Sequence, residues 1–288
     1  MIRLASLFVL CSSFIFVQAQ ASEEKDWELQ ASYLGTGGAE IDEAGKENES
    51  IGFTQSIAKA SYTHRLDDES GIVLNVGHTS TQIDWDENPS FSEKNYSYLN
   101  LEIGGYSLKI PNWLWRGAVG TDVDAEELSF NRYALYKGTM WGRYDFSDML
   151  GIHIGFTGTS GLRRDKVYPI LGLDYAPSSK WKLNFIFPVD ISANYAIDDN
   201  WSVAGTARTF RVRHRLSQKE ATSRGIFDYR SFGGDLSLNY LIGSFLAKAY
   251  VGTTYSGDLK VADSKARNAV FYKFNGSIYL GSNLTYQF

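Results

Sequence analysis

The sequence predicts an all-β fold, an antiparallel up-and-down transmembrane β-barrel of about 14 strands (roughly 12–16). Three observations carry this expectation. A period-2 alternation of apolar and polar residues recurs from Trp27 to Phe288. The breaks in it alternate between tight turns and longer polar loops, as a membrane barrel requires. The last stretch puts Leu284, Tyr286 and Phe288 on one side and Asn283, Thr285 and Gln287 on the other. Open to water, such a strand would be a template for aggregation; in a ring it is the seam, with one face to lipid and one to the lumen.

The beginning of the sequence agrees. Arg3 is a short basic region, residues 4–17 are apolar, and Ala19-Gln20-Ala21 is a small-x-small cleavage site before Ser22. Residues 1–21 are therefore expected to be a cleaved signal peptide and residues 22–288 the barrel domain. The single cysteine, Cys11, leaves with the leader, because Leu10 stands where a lipobox needs a small residue. The C-terminal strand resembles the assembly signal of bacterial outer-membrane β-barrels, in which a final Phe follows alternating aromatic or apolar residues; here it is Leu284, Tyr286 and Phe288. That resemblance implies export to the outer membrane of a Gram-negative-type bacterium. It also implies outer-membrane lipids, periplasmic chaperones and the barrel assembly machinery as partners.

The elements follow in order. A first strand at 27–34 shows Trp27, Leu29, Ala31 and Tyr33 on one face, and a polar loop spans 35–51. The return strand, 53–64, puts Ala58, Ala60 and Tyr62 outward and Lys59, Ser61 and Thr63 inward. Ile72, Leu74 and Val76 face out on the third strand, a loop crosses 84–93, and Leu99, Leu101 and Ile103 face out on the fourth. Pro111 marks a turn before Trp113, Trp115 and Val119. Tyr136, Met140 and Tyr144 come down, Ile152, Ile154 and Phe156 rise, and Leu171, Leu173 and Tyr175 descend. Trp181, Leu183, Phe185 and Phe187 meet Ile191, Ala193 and Tyr195 in a hairpin with short arms, broken at Pro188, where proline is tolerated. Trp201, Val203 and Ala207 rise to a basic loop at 213–224. Phe232, Leu236, Leu238 and Tyr240 descend, Phe245, Ala247, Ala249 and Val251 rise to a last loop at 256–268, and the closing strand returns to Phe288. Aromatic residues gather at the turn ends, where amphipathic rings sit best at a headgroup boundary.

The middle of the chain resembles a family of outer-membrane β-barrels known only as a domain of unknown function. The likeness lies in Tyr168-Pro169-Ile170-Leu171-Gly172-Leu173-Asp174-Tyr175, in Phe187-Pro188, and in Asn200-Trp201-Ser202-Val203 with Gly205. It implies the fold and brings no activity, cofactor or site residue.

If the aliphatic face meets lipid, the other face lines the lumen. It carries Lys59, Arg116, Lys137, Arg143, Lys182, Arg208 and Lys248 against Glu102, Asp122, Asp174 and Asp235. A charge on the lipid face costs about 2–4 kcal/mol at the midplane, so these residues belong inside. Two readings stand side by side. In a water-filled channel the excess of cations favours small anionic solutes; paired closely, the same charges fill and stiffen the lumen.

One constellation could carry chemistry. His78 and Ser80 share the outward face of a strand near its loop end, and Glu93 and Asn95 share parity with outward Leu99 and Leu101. Base, nucleophile and orienter are the parts that activate a serine. The arrangement resembles the lipid-facing His-x-Ser pairs of outer-membrane phospholipase A and lipid A deacylase. That would make Ser80 the nucleophile, His78 the base, and Asn95 or Glu93 the orienter. The sequence departs from those enzymes after Ser80, at Thr81-Gln82-Ile83-Asp84, and a barrel rim holds such residues in any case. His64 ends a strand, His153 faces the lumen and His214 begins the basic loop, and none has metal-ligand spacing. No metal and no cofactor is expected. The formal net charge of -5 disfavours nucleic acid as a partner. The sequence thus reads first as a porin-like channel for small polar or anionic solutes. A structural or surface-interaction barrel comes next, and a lipid-modifying hydrolase third.

Overall fold

The apolar alternation becomes strands nearly throughout the computed structural model, which describes residues 26–42, 49–85, 87–130 and 133–288. The expected signal peptide lies outside the described residues. Sixteen segments follow one another along the chain: β1 (Trp27–Thr36), β2 (Ala39–Glu40), β3 (Ser50–Asp67), β4 (Ser70–Trp85), β5 (Asn95–Ser107), β6 (Trp113–Asp124), β7 (Ala134–Ser147) and β8 (Leu150–Gly161). Then come β9 (Lys166–Ser178), β10 (Trp181–Phe187), β11 (Asp190–Ala196), β12 (Trp201–Arg215), β13 (Ile226–Ile242), β14 (Phe245–Ala262), β15 (Val270–Asn275) and β16 (Ile278–Gln287). Two of these are pieces of longer strands. β2 continues β1 along β3, and β15 and β16 both pair with β14 as parts of one closing strand. The wall is therefore a closed antiparallel barrel of 14 strands.

The closing strand breaks at Gly276, where the chain runs so close to its neighbour that a Cβ would collide with the Thr254 carbonyl. Closure runs through β1, which pairs Ala31 with Ala58 of β3 on one edge and with Leu284 of β16 on the other. At the seam the Trp27 and Phe288 backbones exchange two hydrogen bonds of 3.0 Å. Every N–H and C=O of a lipid-embedded strand needs such a partner, and a closed ring supplies it.

Both described chain ends and the short turns lie at one end of the barrel, here the turn end; the other is the loop end. Leu74, Val76, Leu101, Ile154 and Leu236 stand exposed on the outer wall, an apolar surface that suits hydrocarbon rather than water. At the turn end, Trp27 meets Tyr62 at 4.8 Å, Trp113 meets Tyr144 at 5.2 Å, Trp181 meets Tyr195 at 4.9 Å and Trp201 meets Tyr240 at 4.5 Å between ring centroids. These cross-strand pairs form the girdle of that interface.

The loop end corrects the sequence reading. The strands reach further into the loops expected at 35–51, 84–93, 213–224 and 256–268 than the sequence predicts: β3 starts at Ser50, β4 reaches Trp85, β12 runs to Arg215 and β14 to Ala262. The physical reason is a reversal of the alternation. In this stretch the inward positions are apolar, and Ile51, Phe53, Ile83, Trp85, Phe227, Tyr229, Leu259 and Val261 are all buried. Outward neighbours such as Asp84 and Lys260 are polar. Burial of each large side chain is worth about 1.5–3 kcal/mol, which keeps these ends ordered.

Candidate functional site

The apolar ends converge and shut the barrel. A bulge that leaves Tyr255 of β14 unpaired, between the partners of Phe232 and Gly233, bends the wall there. β12–β15 then lean across the mouth onto β3–β5. Phe53 packs edge-on against Tyr229 at 4.9 Å and Phe210 at 6.0 Å. Phe91 stacks on Phe227 at 5.5 Å, Tyr96 meets Phe227 at 4.6 Å, and Trp85 meets Tyr272 at 4.8 Å. On the leading edge of this flap, His214 stacks on Tyr98 at 3.8 Å, and the Tyr98 hydroxyl donates to the Arg213 carbonyl at 2.8 Å. His214 is thus a buried strand residue, not the start of a loop, because the alternation of β12 continues through it. Together these rings form an aromatic plug.

Beneath the plug the lumen is polar. The register points Lys59, Glu102, Arg116, Asp122, Lys137, Arg143, Asp174, Lys182, Arg208, Asp235 and Lys248 to the inside. Several are paired along the wall. Lys137 bridges Asp122, whose other contact is the Asn100 amide at 2.8 Å. Arg208 donates to Asp235 at 2.8 Å, with the Tyr279 hydroxyl on the same oxygen at 2.9 Å. On the opposite side, Arg143 and His153 hold Asp174 at 2.9 and 2.7 Å, and Trp141 donates to the far nitrogen of His153 at 3.0 Å. No ion pair is formed by Lys59, Lys182 or Lys248 among the described residues. A cavity of about 350 Å³ remains, lined by Lys59, Thr79, Asn100, Lys137, Arg208 and Lys248, and reaching Arg164, Arg211 and Arg213.

Those last residues belong to a cluster that the sequence reading passed over. Asp228 on β13 is fully buried and is held by four guanidinium groups. Arg164 reaches it at 2.6 Å, Arg211 at 3.2 Å, Arg213 at 2.7 Å and Arg230 at 2.5 Å. Arg211, Arg213 and Arg230 sit on the outer face of the leaning flap, and Arg164 comes from the β8–β9 loop. The alternation Arg211-Val212-Arg213-His214 facing Phe227-Asp228-Tyr229-Arg230 was the available signal. It marks two strands with a charged face and an aromatic face.

The His-x-Ser constellation is placed as follows. His78 and Ser80 lie on the outer side of β4, opposite Leu99 and Ser97 of β5, and Asn95 begins β5 opposite Gln82. Among the described residues no hydrogen bond joins His78, Ser80 and Asn95. Glu93 lies just before β5, so strand parity does not govern it; its carboxylate accepts from the Ser217 amide at 3.0 Å. No group of His, Cys, Asp and Glu suited to a metal ion occurs among the described residues.

Comparison with known proteins adds the fold and no role. No family model matches the chain. An uncharacterised protein of Chlamydia pneumoniae is 26% identical over 281 residues, covering 92% of this chain and 88% of its own. One of Chlamydia trachomatis serovar D is 26% identical over 258 residues, covering 84% and 81%. An outer-membrane channel of Pseudomonas putida F1 superposes with a TM-score of 0.53 at 7% identity, over 93% of this chain and 97% of that one. The chain has the closed barrel fold of that outer-membrane channel, and these two relatives are uncharacterised.

Proposed function

We propose that this barrel is a gated, porin-like outer-membrane channel that favours anionic solutes. The observation that carries the reading is the polar cavity itself. Lys59, Lys137, Arg208, Lys248, Arg164, Arg211 and Arg213 line it against Glu102 and Asp122, with Asp228 and Asp235 as their buried partners. Fixed positive potential in a narrow, low-dielectric passage raises the local concentration of anions and repels cations. The plug at the loop end makes the resting state closed to larger solutes. Mixed charges that merely stiffened the wall would pair throughout, whereas Lys59, Lys182 and Lys248 form no ion pair among the described residues. The Glu93 carboxylate, one of the two candidate orienters, is engaged by the Ser217 amide rather than by His78.

Planar-bilayer recordings of the refolded protein test this. Expected are small unitary currents with a reversal potential on the anion side under a salt gradient, reduced toward neutrality in Lys59→Gln and Lys248→Gln together. Cation preference would overturn the anion reading, and silence even after the plug is loosened by Phe210→Ala would favour the filled-lumen reading.

A further inference from the structure

The barrel wall has a notch, and strand pairing defines its edges. β10 and β11 are 7 residues each, whereas β12 has 15 and β9 has 13. The last β10 pair is Phe187 with Leu171, so β9 from Lys166 to Ile170 has no partner on that side. The last β11 pair is Ile191 with Ala207, so β12 from Arg208 onward has no partner on its side. Pro169, which lacks an N–H, stands on the unpaired run of β9, where an edge tolerates it.

The notch lies at membrane depth. Trp181 and Tyr195 fix the foot of the hairpin at the turn-end girdle. Seven residues rise about 23 Å along a strand, or roughly 18 Å along the normal at a tilt near 40°, short of the ~25 Å apolar band. A spanning strand needs about 9–11 residues. The tip, Phe187-Pro188, therefore stops inside the hydrocarbon. Just behind it, Trp141, Ile170 and Ile186 form an apolar floor with Val189 against them. Above it, at headgroup height, stand the four arginines around Asp228. With Asp258, opposite Arg230 in register, the cluster still holds two more cations than acids. Two polar atoms there are unmet: the buried Tyr168 hydroxyl and Arg213 Nε have no hydrogen-bond partner among the described residues. Buried donors left open are costly and mark a place for an acceptor.

We infer that this notch is a lateral portal between the lumen and the outer leaflet, and that it passes amphipathic anions: an alkyl chain over the Phe187 lip with a carboxylate or phosphate head on the arginine cluster. The inference rests on the channel reading and supplies its exit. The plug bars the axial route, while the cavity already reaches Arg164, Arg211 and Arg213.

Two measurements on the full barrel in lipid bilayers test the portal. A nitroxide on Phe187→Cys should collide with oxygen more than with a water-soluble nickel chelate; the reverse would put the lip in water and overturn the inference. 11-Bromoundecanoate should quench an emission component absent from Trp141→Phe, and Arg164→Gln should weaken that quenching about 3–10-fold, as expected for one lost charge-assisted contact. Equal quenching of Trp141 by an undecyltrimethylammonium analogue brominated at its chain end would overturn the choice of anions. So would no quenching by the acid. Quenching without any conductance would fail the aqueous-channel reading alone, and conductance without quenching would fail the portal alone.

Discussion

The barrel has a tall wall and a low one. β3, β4 and β12–β14 run 15 to 18 residues and carry aromatic side chains inward above the membrane; β10 and β11 run 7 and stop within it. Height decides what each does. The tall strands have surplus length, so they lean across the mouth and bury their rings against one another. The low pair has none, and it leaves two strand edges unpartnered at its flanks. One wall closes the axial path and the other opens a lateral one.

The largest expected effect breaks the tall wall at its charge centre. Asp228→Ala leaves four guanidinium groups without their shared carboxylate, and loss of one partner of a buried ion pair costs about 3–5 kcal/mol. The midpoint of urea unfolding should fall accordingly, and the heat-modifiable gel shift should appear at lower temperature. An unchanged midpoint would mean that the cluster is solvated.

Next comes the plug. Phe227→Ala removes a ring that touches Phe91, Tyr96 and His214, and truncation of a buried Phe costs about 3–5 kcal/mol, less where neighbours collapse into the space. Channel open probability should rise at the same time. Stability lost without any change in current would separate the plug from gating.

The seam is a smaller and distinct case. Removing Phe288 deletes two backbone hydrogen bonds to Trp27 and the ring stacked on Tyr286 at 5.7 Å. The folded barrel should lose about 1–3 kcal/mol, since each net hydrogen bond is worth about 1 kcal/mol. Outer-membrane levels in cells should fall by more than that, because the same strand is read as the assembly signal. Equal falls for Phe288 and a loop deletion would contradict this.

The smallest effect is a control at the turn rim, away from both walls. Lys109 pairs with Asp67 at 2.7 Å, and that hydrogen bond, first among its causes, holds the Asp67 carboxyl down to about 2. A carboxyl depressed in the folded state adds stability that is present above its unfolded value and lost as pH falls through the folded one. Lys109→Ala should raise the Asp67 titration part of the way toward 3.8 and lower neutral-pH stability only slightly, because an exposed pair is screened by solvent. Carboxyl NMR titration in micelles would show it.

The membrane part of this fold was legible in the sequence because lipid enforces one rule: apolar outward, polar inward, period 2. Leu74, Val76, Leu99 and Leu101 obey it, and even the Pro188 hairpin could be located. The rule failed above the membrane, where water replaces lipid and the sign reverses. Leu259 and Val261 then look like loop residues when in fact they face the core. The lumen side of the candidate site could be read one strand at a time, as for Lys59 or Asp235. Its assembly could not, since Arg164 and Asp228 are 64 positions apart and meet where the wall leans inward beyond the bulge at Tyr255. The notch was likewise implicit in two short arms, but only the register shows which edges they leave bare.

Thr79→Cys gives the most direct measurement of the central claim, that the tall wall seals the loop end over a polar chamber. Thr79 lines that chamber, and the sequence has one other cysteine, Cys11 in the expected leader. An anionic, membrane-impermeant thiosulfonate is added to oriented bilayers from either side, and the rate of modification is followed. Reaction should be slow from the loop end and faster from the turn end, with the loop-end rate raised at least tenfold by Phe227→Ala. Rapid reaction from the loop end in the barrel with an intact plug would contradict the claim.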